Sequence, residues 1–226
     1  MKSKKSKVFV IALAVCLIAT LSMGTLAWFS AKDEVKNEFM IADSTDVNPE
    51  DIFSIDVWEI DPESNEREET GHKYEKILPG DSLKKDVFVQ NTGYYDQYVR
   101  VIVTISDAQA WVATGATPEA VFKGLDLTKW DHIYNNLSED ATAENLIYVL
   151  YYKDIVKAED VINVFNSIEI PTSLTREQAA KFGGGFTIDV KAQAVQTENV
   201  VDLNNIPAGK TAAWVAFDTV GMSIAD

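Results

Sequence analysis

The sequence predicts a mainly β protein, an antiparallel jelly-roll-like β-sandwich with short helical insertions, and three observations carry that prediction. Apolar residues alternate at period two in four stretches, the mark of strands with one buried face. Turn residues separate those stretches, while helical signals are few and short. The 226-residue chain holds one cysteine, Cys16, inside an N-terminal apolar segment. The chain beyond that segment must therefore rest on its own core rather than on disulfides.

The first strand is read from Phe53, Ile55 and Val57, which alternate with Ser54, Asp56 and Trp58. Residues 86–90 form a second, and the Asn91-Thr92-Gly93 turn is expected to join it as a hairpin to Val99, Val101, Val103 and Ile105, because asparagine and glycine accept positive backbone angles. Residues 146–152 are apolar enough for a central strand. Phe186, Ile188, Val190, Ala192 and Ala194 alternate with Thr187, Asp189, Lys191 and Gln193, and residues 212–217 read as a short apolar strand.

Two short helices interrupt this series. Thr117 caps the first, with Pro118 in its first turn and an end near Gly124. Thr175 and Gln178 have capping-box spacing for the second, which Gly183 terminates. Residues 61–76 are polar and aperiodic and read as a long solvated loop. Its carboxylates are of the type that binds calcium, but their spacing matches no calcium loop, so no metal site is assigned.

Catalytic patterns are missing. His72 and His132 are the only histidines and do not fall at His-Glu-x-x-His spacing. There is no Gly-x-Ser-x-Gly nucleophile pattern. The Gly183-Gly184-Gly185 run precedes a strand instead of opening a helix, so it is read as a flexible loop and not a phosphate cradle. Tryptophans and tyrosines at strand positions are read as core or sheet surface before any sugar-stacking role. The expectation is a protein that is not an enzyme, with no catalytic residue and no cofactor.

The N-terminus is the most informative segment. Lys2, Lys4, Lys5 and Lys7 precede 22 uncharged residues, and Thr25 and Ala27 place small side chains where a signal peptidase reads them. Residues 1–27 are accordingly read as a secretory signal cleaved between Ala27 and Trp28. A retained membrane anchor is the competing reading. Removing four lysines from the 20 basic residues leaves 16 against 35 acidic ones, a formal charge of −19. Nucleic acid and anionic lipid are excluded as partners by such a charge. Residues 28–44 form a separate N-terminal segment and residues 45–226 the β-sandwich domain. Within that segment Phe29, Ala31, Val35, Phe39 and Ile41 present an apolar face suited to a donor strand, although Ala31, Val35, Phe39 and Ala42 also fit helical spacing.

Three stretches together carry a resemblance. They are Gly24-Thr25-Leu26-Ala27-Trp28-Phe29-Ser30 with Lys36-Asn37-Glu38-Phe39; Leu78-Pro79-Gly80-Asp81 followed by residues 87–93 and 98–101; and residues 188–196. Their pattern resembles the TasA/camelysin family, across most of the chain. The resemblance implies a secreted protein of a Gram-positive biofilm matrix, located in the extracellular matrix or on the cell surface. It further implies processing by a SipW-type signal peptidase and polymerisation with itself into fibres by donor-strand exchange, with other matrix components as further partners. Camelysin-type relatives are described as metallopeptidases, which makes a secreted metallopeptidase one alternative. A monomeric cell-surface binding protein is the other.

Overall fold

The computed structural model describes residues 30–32, 53–68, 72, 74, 77–115, 117–135, 142–175, 177–178 and 185–224. Its strands are β1 (Ser30–Lys32), β2 (Ile55–Ile60), β3 (Arg67–Glu68), β4 (Ser82–Asn91), β5 (Gln97–Ile105), β6 (Phe122–Lys123), β7 (Trp130–Asn135), β8 (Leu146–Tyr152), β9 (Val161–Glu169) and β10 (Ile188–Gln196). Helices α1 (Ala108–Thr114) and α2 (Pro118–Val121) follow β5, and α3 (Ala212–Val220) follows β10. Sheet A has the order β1-β10-β5-β8-β7 and sheet B the order β3-β2-β4-β9-β6. Their strand pairings are antiparallel.

The two sheets face each other across one apolar core. Val99, Val101, Val103 and Ile105 of β5 meet Val87 and Val89 of β4 there, with Leu146 and Leu150 of β8, Ala192 and Ala194 of β10, and Val164, Phe165 and Ile168 of β9. Period-two alternation thus places the residues expected to be buried in the sandwich interior. Strand β9 carries a different pattern. The β4–β9 register shifts between Lys84 and Val87 and again between Val87 and Phe88, so Val164 and Phe165, adjacent in sequence, are both buried. A bulge of this kind erases the alternation that would otherwise announce the strand.

Sheet A is covered on its other face as well. Tyr98, Ile102, Val149, Tyr151 and Val195 pack against Ala213, Ala216 and Phe217 of α3 in a second apolar cluster. Residues 212–217, expected as a strand, are therefore helical. The run of apolar residues hides spacing at 213, 216 and 217 that suits one helical face. Thr211 Oγ1 caps the helix by accepting from Trp214 N at 3.1 Å, and Gly221 at φ 65° ends it.

The Asn91 turn also departs from expectation. Strand β4 belongs to sheet B and β5 to sheet A, so residues 92–96 form an arch between the sheets and not a hairpin. Asn91 is fully buried at the start of that arch. Its Nδ2 donates to Tyr95 O at 2.8 Å and Val156 O at 3.0 Å, and its Oδ1 accepts from Gly93 N at 3.0 Å. Gln97, equally buried at the far end, exchanges two backbone hydrogen bonds with Val156, each 2.9 Å, and its Nε2 donates to Ser54 O at 2.8 Å.

Other expectations hold. Strand β8 coincides with residues 146–152, and α2 begins at Pro118 as expected, with Gly124 at φ 85° close behind. Thr175 N donates to Gln178 Oε1 and Gln178 N to Thr175 Oγ1, the reciprocal pair of a capping box. Gly183 lies outside the described residues. The polar stretch after Asp61 contains β3, which pairs with the end of β2.

Asn91→Ala removes the donor to Tyr95 O and one of the two donors to Val156 O, which keeps Gln97 N, and leaves the Gly93 amide without its acceptor; it is expected to destabilise the fold by about 2 kcal/mol in denaturant unfolding. Asn91→Asp is expected to do at least as much harm, because a carboxylate would face Tyr95 O and Val156 O with no proton to offer.

Candidate functional site

The edge of sheet A is the place where the N-terminal segment meets the domain. Strand β1 lies antiparallel on β10 with Ser30 opposite Val195, Ala31 opposite Ala194 and Lys32 opposite Gln193. Of the residues read as the donor-strand face, Ala31 is the one within the described residues; Phe29, Val35, Phe39 and Ile41 lie outside them, as do Ala27 and Trp28 of the expected cleavage site. The β1 pairing spans residues 193–195 of the nine-residue β10, whereas on its other side β10 pairs with β5 from Ile188 to Gln196.

Two different surfaces flank that edge. On the sandwich side Ala192 and Ala194 are fully buried and short. On the outer side Gln193 is buried with Arg100, its cross-strand partner on β5. Arg100 Nε donates to Gln193 Oε1 at 2.6 Å, and Arg100 Nη2 donates to Met222 O and Ser223 O, each at 2.9 Å. The guanidinium lies 4.3 Å from the centre of the Phe217 ring. Helix α3 has no basic residue in its last turn, so Arg100 supplies from the sheet the cation that a helix C-terminus favours. Gln193 therefore connects the backbone that β1 pairs with to the chain end that closes over the sheet.

The histidines are separated. His132 lies in β7 at the far edge of sheet A, opposite Leu150. His72 lies beside the β2–β3 corner of sheet B, its Nδ1 3.1 Å from Asp61 Oδ2. Glu68 joins them, and ligand-type atoms of Asp61, Glu68 and His72 all fall within 4.8 Å of one another. Sequence spacing did not disclose this group, because β3 folds Glu68 back against the end of β2 in a stretch that reads as aperiodic loop. Asp61 Oδ1 accepts from Ser64 N at 2.6 Å and Glu63 N at 2.9 Å, and these bonds hold its carboxyl well below the usual range. Beside them Tyr74 is pushed up to about 12, first by burial and then by Glu59, Asp61, Glu68 and Asp86.

A small cavity between α1 and sheet A, lined by Ile105, Trp111, Val121, Leu146 and Tyr148, is apolar and presents no acid–base pair. Among the described residues no helix is long and apolar enough to cross a membrane. Comparison with protein-family models, curated proteins and solved structures finds no match to this chain.

Replacing Arg100 by alanine removes the donors for Gln193 Oε1, Met222 O and Ser223 O at once. The expected result is a loss of about 3 kcal/mol, with amide exchange accelerated first in the last turn of α3. Arg100→Lys is expected to restore little, since an ammonium cannot reproduce the forked donor geometry.

Proposed function

We propose that this chain is a secreted structural subunit, not an enzyme, which polymerises into extracellular matrix fibres by passing the segment that follows its export signal to a neighbouring copy. The observation that carries the reading is the position of β1. The piece of that segment within the described residues is a short outermost strand, held by the backbone of β10. The stretches that resemble the TasA/camelysin family support the same reading by their location. They build the turn before β4, the strand and arch that follow it, the start of β5 and the whole of β10, which is the strand that receives β1.

The physics of such an exchange is simple. When β1 leaves, the amides and carbonyls of β10 that faced it lose their partners, and the same segment of another copy satisfies them equally well. Because the site given and the site received are different surfaces, the contact is head to tail and propagates as a filament. The 20 residues between Lys32 and Phe53 reach at most about 70 Å when fully extended, enough for β1 to arrive on an adjacent domain of this size. The mature charge of −19 opposes close packing of subunits, and salt or acid relieves that opposition. A SipW-type peptidase acting at Ala27 would make the transfer possible by freeing Trp28 and Phe29 from the membrane.

Electron microscopy of the chain starting at Trp28, beside one starting at Ser44, is expected to show filaments from the longer form alone; filaments from the shorter form overturn the proposal. A cysteine pair gives a second check. Ala31 and Ala194 stand opposite each other across the edge, and the mature chain has no cysteine of its own. Opposed residues of an antiparallel pair lie within disulfide range. Ala31→Cys with Ala194→Cys, oxidised as monomer, should give a closed chain that does not assemble until reduced. Oxidised after assembly, it should give covalent multimers on a non-reducing gel.

A further inference from the structure

We infer that Asp61, Glu68 and His72 form a binding site for a divalent cation of the Zn2+ or Mn2+ type, which ties the β2–β3 corner to the chain that follows it. The three ligands come from three separate pieces of backbone: Asp61 just after β2, Glu68 in β3, and His72 four residues further on. Each is only partly exposed.

Distances suit one shared ion. Ligands about 2.1 Å from a common metal lie roughly 3.0–3.4 Å apart when adjacent and about 4.2 Å apart when opposite. His72 Nδ1 and Asp61 Oδ2 are 3.1 Å apart, the spacing of adjacent ligands, and the full set lies within 4.8 Å, so binding requires Glu68 to close in by up to about half an ångström. The hydrogen bond between Asp61 and His72 is the arrangement that a cation replaces, since the deprotonated Nδ1 lone pair and the carboxylate oxygen then point at the same centre.

The corner is built to hold these groups in position. Asp61 N donates to Glu66 O and Asn65 N to Asp61 O, both at 2.9 Å, with Asn65 in the left-handed region at φ 61°. Those bonds close the turn under the carboxylate. The bonds from Ser64 N and Glu63 N orient Asp61 Oδ1 and leave Oδ2 directed at His72. The imidazole rests edge-on against Tyr74, ring centres 4.8 Å apart. Tyr74 in turn donates from its hydroxyl to Lys84 O on β4, which anchors this part of the chain to sheet B. One imidazole with two carboxylates is a donor set for borderline cations; Ca2+, which takes six to eight oxygens, is disfavoured by the nitrogen and by the low ligand count.

The test is calorimetric titration of the mature chain from Trp28, stripped with chelator, against ZnCl2, MnCl2 and CaCl2. Saturable binding of Zn2+ or Mn2+ at one ion per chain is expected, tighter than Ca2+, with a rise in thermal midpoint. His72→Ala, Glu68→Gln and Asp61→Asn are each expected to weaken binding by about tenfold or more. Asp61→Asn keeps the oxygen that the Ser64 and Glu63 amides donate to, so it separates ligand loss from damage to the turn. Circular dichroism of each variant in chelator checks that the fold is intact. Absorption bands of bound Co2+ that change in His72→Ala give a readout independent of stability. Failure of the native chain to bind at millimolar Zn2+ or Mn2+, or binding that survives all three substitutions, overturns the site.

Discussion

The buried amide of Asn91 is the interaction on which the rest of this fold depends. Strands β4 and β5 are each internal to their sheets, and residues 92–96 are all that separates them. So short a link forces the two sheets face to face at that end. The chain must turn sharply there, and although Thr92, Tyr94, Tyr95 and Asp96 are exposed, the polar groups at the buried positions Asn91, Gly93 and Gln97 need partners within the protein. Asn91 answers that requirement by acting as donor to Tyr95 O and Val156 O and as acceptor for Gly93 N. Gln97 holds the same Val156 segment from the other side, so the loop after β8 is stitched into the crossing. A buried polar network of this kind specifies one arrangement of the sheets because any other leaves its members unpaired.

How much of this was legible in the sequence depends on the same physics. Strands with a clear apolar pattern were readable: β2, β5 and β10 appear where alternation placed them, and β8 where a continuous apolar run did. Strand β9 was not, because its bulge sets Val164 and Phe165 inward together and breaks the pattern. Helix α3 looked like a strand because Ala212 to Phe217 is apolar at every position, so periodicity could not choose; the caps that bound it, Thr211 and Gly221, are seen in the structure. Asn91-Thr92-Gly93 was correctly a turn. Whether such a turn returns within a sheet or crosses to the other depends on what lies opposite, a tertiary fact. His72 shows the same limit: its partners are four and eleven residues away, and only the β2–β3 pairing brings them together.

The edge of sheet A combines features that are individually ordinary. Strand β10 is flanked by the sandwich core on one face and by Arg100, Gln193 and α3 on the other. A strand buried on both faces stays flat and extended without help from its outermost neighbour. The edge that β1 occupies is therefore shaped by the rest of sheet A, and its small inward residues Ala192 and Ala194 keep the floor shallow. The strong acidity of the chain would oppose close approach of a second copy to that edge.

The antiparallel alignment of β1 with β10 also bears on how a fibre of such subunits would carry load. Tension between neighbouring domains would act along the shared strand axis, so the backbone hydrogen bonds of the joint would be strained together in shear and not opened one after another from an end. A joint loaded in that way resists a steady pull far better than its few residues suggest, while sideways peeling of the same strand would meet little resistance. The material would then be stiff along its length and easily remodelled across it.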